Sequence, residues 1–228
     1  MHPPEREDMK PPDDEPILVW DLATRLFHWL LVTLVITSFF TAYTGGAWMP
    51  THMQSGVAIL GLLVFRITWG FVGGRYARFS SFVRGPMVVL GYARSLLRHD
   101  APKQLGHNPM GGWSVLAMLI ALMVQAVTGL FANDDIFTKG PLYPWVGKAT
   151  SDRLTHIHHL NHDVLLGLVS LHVTVVLFYL IIKHDNLILP MLTGRKRWHA
   201  KDQASANPLG TALLVAILSA IGVYLLVH

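Results

Sequence analysis

The sequence predicts an all-α integral membrane protein: a four-helix bundle with a fifth transmembrane helix at the C-terminus. Hydrophobic residues make up 52% of the 228 residues and charged residues only 14%, whereas a soluble domain carries about 25% charged residues. Five apolar stretches reach or approach the ~20 residues needed to cross about 30 Å of hydrocarbon. No stretch alternates with period two, so a barrel is not supported.

In chain order, residues 1–16 hold five prolines and six acids. That composition predicts a disordered tail, and it lacks the basic start and apolar run of a signal peptide. The spans are expected at about Leu22–Tyr43, His52–Val72, Met110–Phe131, Ile157–Ile182 and Pro208–Val227. Glycine and proline cluster between them, at Gly45-Gly46, Gly73-Gly74, Gly85-Pro86, Gly140-Pro141 and Asn207-Pro208. Residues 86–99 mix apolar and basic side chains and are too short to span, which suits an amphipathic helix on the membrane surface. The chain thus divides into a tail (1–16), a four-helix core (17–194), and a linker with the fifth helix (195–228).

Fifteen lysines and arginines fall on the side of the N-terminus and three, Lys139, Lys148 and Arg153, on the other. Basic loops stay in the cytoplasm. The N-terminus is therefore expected in the cytoplasm and the C-terminus outside. The net charge of +4 orients the protein and calls for no nucleic acid. With no cysteine there is no disulfide, thiolate zinc site, iron–sulfur cluster or C-x-x-C-H haem attachment.

Thirteen histidines in so apolar a chain are the feature to explain, because imidazoles inside a span are costly and mark function. His28 lies in the first span and His52 opens the second. His158 and His172 lie 14 residues apart on the fourth, which puts them within about 40° of one face and about 21 Å apart along the axis. Depth then pairs His52 with His158 and His28 with His172. Two facing pairs of neutral imidazoles suit two non-covalent, bis-histidine b-type haems. With both axial positions of the iron filled, electron transfer is favoured over oxygen chemistry. Zinc usually takes three or four converging ligands.

Other readings stay open. A lone intramembrane histidine can be a helix contact. His156, His159 and His162 crowd the mouth of the fourth span, where His158 and His162 form an i, i+4 pair that could hold zinc or a di-iron centre. Only Asp152 and Asp163 lie near to help, and no Glu does. His159 sits about 140° from the face of His172. A third reading is an anchor subunit that needs no haem. His107 is expected to cap the turn into the third span, and His2, His99, His184, His199 and His228 to be solvated.

Four motifs resemble the bacterial cytochrome b561 family: W-D-L-A-T-R-L-F-H-W (Trp20–Trp29), F-R-I-T-W-G (Phe65–Gly70), G-H-N-P-M-G-G-W (Gly106–Trp113) and Q-A-V-T-G-L-F (Gln125–Phe131). That family is similar to the cytochrome b subunits of nickel–iron hydrogenases, thiosulfate reductases and formate dehydrogenases. The resemblance covers about Val19 to Gly194. It implies His28 and His172 on a cytoplasmic-side haem and His52 and His158 on a periplasmic-side haem. Many members carry an acid after the outer fourth-helix histidine; here His159 follows, and stands beside His158 as an alternative ligand. The resemblance further implies electron transfer between membrane quinone and a periplasmic cytochrome c or oxidoreductase subunit, as part of a quinone-linked complex. Arg25 and Arg66 would then meet haem propionates inside and Arg153 outside, unless they snorkel to lipid headgroups. A quinone would sit near Arg25, Trp29 and His172. Trp48, Tyr143 and Trp145 read as an interfacial belt in the lipid, and the fifth helix is free to meet a partner subunit. No motif for nucleophilic hydrolysis, phosphate binding or dinucleotide binding points to a self-contained enzyme.

Overall fold

The computed structural model describes residues 15–98, 102, 104–198 and 208–228. Most of the expected tail, with Arg6 and Lys10, lies outside them, as do Lys103, Lys201 and three of the histidines, His2, His99 and His199.

Five helices are long and apolar enough to cross a membrane, so the protein is a multi-pass helical membrane protein. Helix α1 (Leu22–Thr44) opens on Asp21, whose carboxylate accepts from the Thr24 N–H at 2.7 Å, a side-chain N-cap. It closes on Gly45 and Gly46, at φ 61° and 52°, a left-handed conformation that glycine adopts without steric cost. A 3-10 turn at Gly46–Trp48 then feeds α2 (Met49–Val72), which turns back along α1. Ser38 and Ser55 share a hydrogen bond of 2.6 Å across the pair.

A one-turn α3 (Phe79–Phe82) and the surface helix α4 (Pro86–Leu97) lead to α5 (Pro109–Leu130). Helix α4 falls where the amphipathic pattern places it, with Tyr92 buried and Met87 and Val88 exposed. Helix α6 (Lys148–Ile181) starts nine residues before the apolar run at Ile157. Its 34 residues reach about 51 Å, well beyond the hydrocarbon. After a short α7 (Ile188–Thr193) comes the last span, α8 (Leu209–Val227). Its buried face, Ala212, Val215, Ser219 and Val223, packs on α2, outside the bundle of α1, α2, α5 and α6.

A short ribbon runs across the positions of the expected boundaries at 16/17 and 194/195. Glu15–Leu18 (β1) pairs antiparallel with Arg195–Trp198 (β2), setting Glu15 opposite Trp198 and Pro16 opposite Arg197. Proline and acid content describe the segment on average. The local driver is the apolar run Ile17-Leu18-Val19, with Ile17 and Val19 buried, and it pulls its two neighbours into order. The ribbon ties the start of α1 to the end of α7, where Val19 and Trp20 donate to the Gly194 carbonyl at 2.8 and 3.1 Å.

Asp21 anchors this end. It is 1% exposed and also accepts from Trp69 Nε1 at 3.3 Å on α2. Asp21→Ala removes a cap and orphans a buried indole N–H, a combined cost of about 2–4 kcal/mol. Thermal unfolding in detergent should show a clearly lower midpoint, with Asp21→Asn closer to wild type.

Candidate cofactor sites between the helices

The packing leaves a seam. Helix α1 packs on α2, α2 on α5 and α8, and α5 on α6, but α6 makes no comparable contact with α1 or α2. His52 and His158 line a cavity in this seam, and His28 and His172 interact electrostatically nearer the other end of the same helices. Below, the basic end is the one where α1 begins and α6 ends.

At the opposite end the His52 and His158 rings stand perpendicular, their centroids 6.2 Å apart. Each is oriented by a backbone carbonyl of a neighbouring helix. His52 Nδ1 lies 3.0 Å from the Ser38 carbonyl of α1, and His158 Nδ1 lies 3.0 Å from the Gln125 carbonyl of α5. A carbonyl only accepts, so both bonds fix the Nδ1–H tautomer and leave Nε2 with its lone pair. The Gln125 amide reaches His158 Nε2 at 3.1 Å and is itself held by Asn161 at 2.8 Å. Gly129 makes room for the ring: a Cβ there would come within 3.0 Å of His158 Cε1.

A cavity of about 270 Å³ between α1, α2, α5 and α6 is lined by both histidines, Ser38, Gln125 and Gly129. On its rim Asp134 accepts from the N–H groups of Thr138, Ile136 and Phe137, which hold its carboxyl well below the usual carboxylate range. His159 and His162 also border the cavity. His159 is exposed, as is His156, and His162 pairs with Asp163 at 3.1 Å. Among the described residues no three His, Cys, Asp or Glu side chains converge as a metal cage. Arg153 is exposed at this end.

At the basic end His28 and His172 are electrostatic neighbours. Arg66, 3% exposed, sits among aromatic rings, with its guanidinium 5.1 Å from the Phe79 centroid and 6.0 Å from those of Phe27 and Phe82. Arg25 donates to the Leu192 carbonyl at 2.6 Å and Trp29 to that of Met191 at 3.2 Å. Both side chains therefore clasp α7.

The expected cap at His107 is a different residue. Asn108 accepts from the Gly111 N–H at 2.7 Å, the usual partnership of an Asn N-cap with proline at N1. His107 turns inward instead, between the rings of Trp20 (4.7 Å) and Phe82 (4.8 Å). Burial, then the charge of Arg66, then His172 and His28 lower its pKa to about 3, so it is neutral at pH 7. Gln125, Thr128, Gly129 and Asn161 carried no role in the sequence reading either. The signal for three of them was the Q-A-V-T-G string, with polar residues and a glycine inside a span.

Five spans, with His52 and His158 facing each other across a cavity between them, define the class: a multi-pass helical membrane protein with side chains suited to a cofactor. Residues 19–194 match the family described as prokaryotic cytochrome b561, and the chain belongs to that family. Its cofactor is haem b and its work is electron transfer in the membrane. Among its relatives, the probable Ni/Fe-hydrogenase B-type cytochrome subunit of Rhizobium leguminosarum bv. viciae is 24% identical over 216 residues, covering 79% of this chain and 88% of its own. The protein of the same description from Azotobacter vinelandii is 25% identical over 214 residues, covering 78% and 87%. The probable Ni/Fe-hydrogenase 1 B-type cytochrome subunit of Escherichia coli (strain K12) is 22% identical over 210 residues, covering 77% and 88%. No solved structure gives a significant match.

Gly129→Val fills the space beside the His158 ring. Haem extracted per chain should fall while the helix content measured by circular dichroism stays as in wild type.

Proposed function

We propose that the chain is a di-haem b-type cytochrome carrying electrons between membrane quinone and a periplasmic redox partner. The observation that carries this reading is the pair of imidazole pairs stacked along α6. Two ring nitrogens each about 2 Å from one metal put imidazole centroids about 6.4 Å apart, and His52 and His158 stand 6.2 Å apart. Tautomers fixed through Nδ1 turn each Nε2 lone pair to the acceptor side, the usual support of a metal-bound imidazole, and at His158 a metal would take the place of the Gln125 amide. His28 and His172 form the second pair. The carbonyl bond to Gln125 favours His158 over the exposed His159 as the ligand.

Haem supplies the one-electron chemistry when bound. The residues of the chain orient the imidazoles, exclude water with the apolar faces of α2 and α5, and offer Arg66 and Arg25 to the propionates on the basic side. His158 and His172 are separated by about 21 Å along α6, so the two sites together bridge most of the hydrocarbon. Quinone exchanges at the basic end, near Trp29 and His172. The positive-inside rule places that end in the cytoplasm. The hydrogenase cytochrome subunits among the relatives support a role as the membrane subunit of an oxidoreductase complex whose catalytic partner docks on the periplasmic side.

A reduced-minus-oxidised absorption spectrum with haem extracted and counted tests the reading. Two non-covalent haems per chain are expected, one of them lost in His52→Ala and one in His172→Ala, with electron transfer from a quinol analogue abolished in both. Haem-free protein holding zinc or non-haem iron would overturn the reading.

A further inference from the structure

Among the described residues, five side-chain atoms are buried without a hydrogen-bond partner: Thr24 Oγ1, Arg25 Nε, His28 Nδ1, Arg66 Nη1 and His107 Nδ1. All five belong to the basic end, and none lies beside His52 and His158. Buried polar groups are nearly always satisfied, and each orphan costs about 1–3 kcal/mol, more when charged. Five gathered at one level mark a shared need for an acceptor.

Arg66 and His107 face that need together. Phe82 is a common wall, with its ring 4.8 Å from that of His107 and its centroid 6.0 Å from the Arg66 guanidinium. His107 also lies within electrostatic reach of Arg66, His172 and His28. The carboxylate with an electrostatic hold on Arg66 is Asp21, and its oxygens already serve Thr24 N–H and Trp69 Nε1. A guanidinium ringed by phenyl groups needs an anion. Asp21 balances the Arg66 charge from one side, and a second carboxylate would supply the acceptor that Nη1 lacks.

We propose that His107, with Arg66 and Thr24, forms a carboxylate cradle that holds a propionate of the haem between His28 and His172. This rests on the reading of His28 and His172 as axial ligands. A carboxylate accepts at two oxygens, which matches donors from a guanidinium, a hydroxyl and an imidazole Nδ1–H. His107 acts as a positioning residue: it touches the rim of the cofactor, and its effect reaches the iron through charge. A propionate relieved of its donors leaves more negative charge near the iron, and that favours the ferric state.

The test uses full-length purified protein and an optical redox titration of each haem, with haem counted per chain. His107→Leu keeps the bulk and removes the donor, whereas His107→Gln keeps a donor. In His107→Leu both haems should remain, and one should shift about threefold to tenfold towards its oxidised form at fixed ambient potential. The other haem should not move, and His107→Gln should restore most of the shift. In protein loaded with haem whose propionates are methyl esters, His107→Leu should add nothing. Thr24→Val gives the same comparison should His107→Leu fail to accumulate. Unmoved potentials, or an equal shift with the esterified haem, overturn the cradle while leaving the ligand assignment intact. A haem count unchanged by His28→Ala and by His172→Ala overturns the ligand assignment, and the cradle with it.

Discussion

The constraint on which this molecule turns is that α6 does not close onto α1 and α2. In a bundle without a cofactor, apolar side chains interdigitate across the centre. Here Leu63 and Trp69 of α2 are fully buried, in a core to which α1, α5 and α8 also contribute. The seam facing α6 holds a cavity instead, and among its apolar lining stand the imidazoles of His52 and His158, the Gln125 amide and the Ser38 hydroxyl. The pairs α1 with α2 and α5 with α6 are joined through α2, which packs on α5 and on α8. The fifth helix thus supports α2, the helix that carries His52 and Arg66, from behind.

Polar side chains at membrane depth must find partners within the protein, because lipid offers none. At the opposite end they draw on the spare lone pairs of helix carbonyls: Ser38 O for His52 and Gln125 O for His158. These bonds leave the helices intact, since a carbonyl already serving the i+4 N–H can accept a second donor. Asp21 does comparable work at the basic end by serving the N-terminus of α1 and the Trp69 indole at once. One buried carboxylate thereby fixes the relation of α1 to α2, and with it the approach of His28 and Arg66.

Span positions were legible because twenty-residue hydropathy is the strongest signal a membrane sequence offers. That His52 faces His158 could be anticipated from the 14-residue interval between His158 and His172, which assigns each a depth on α6. The extra turns at the start of α6 were hidden by their polarity, since Lys148, Ser151, Asp152 and Arg153 carry a helix past the hydrocarbon where an apolar criterion stops. The β1–β2 ribbon joins residues about 180 positions apart, and no local pattern announces such a pairing. His107 was misread for a related reason. The cap belongs to Asn108, beside Pro109, and the place of His107 is set by Trp20 and Phe82, residues distant in sequence. Gln125 stood within a motif, but its role depends on the turn of α6 that brings His158 and Asn161 alongside.

The two ends of the seam are built on opposite principles. Around His52 and His158 the protein satisfies its own donors and acceptors, so this geometry exists before anything binds. Around His28, Arg66 and His107 the donors outnumber the acceptors, and the protein alone leaves them unmet. Anything that binds the folded state and supplies those acceptors adds its binding free energy to stability. Under the proposed reading, the basic-end haem is therefore a structural member as well as a redox group, and its arrival completes the packing of α1 against α2 and the turn before α5. The division suits the two faces of the proposed electron conduit: a preformed site on the side proposed for a protein partner, and a site completed by its cofactor on the side proposed for quinone.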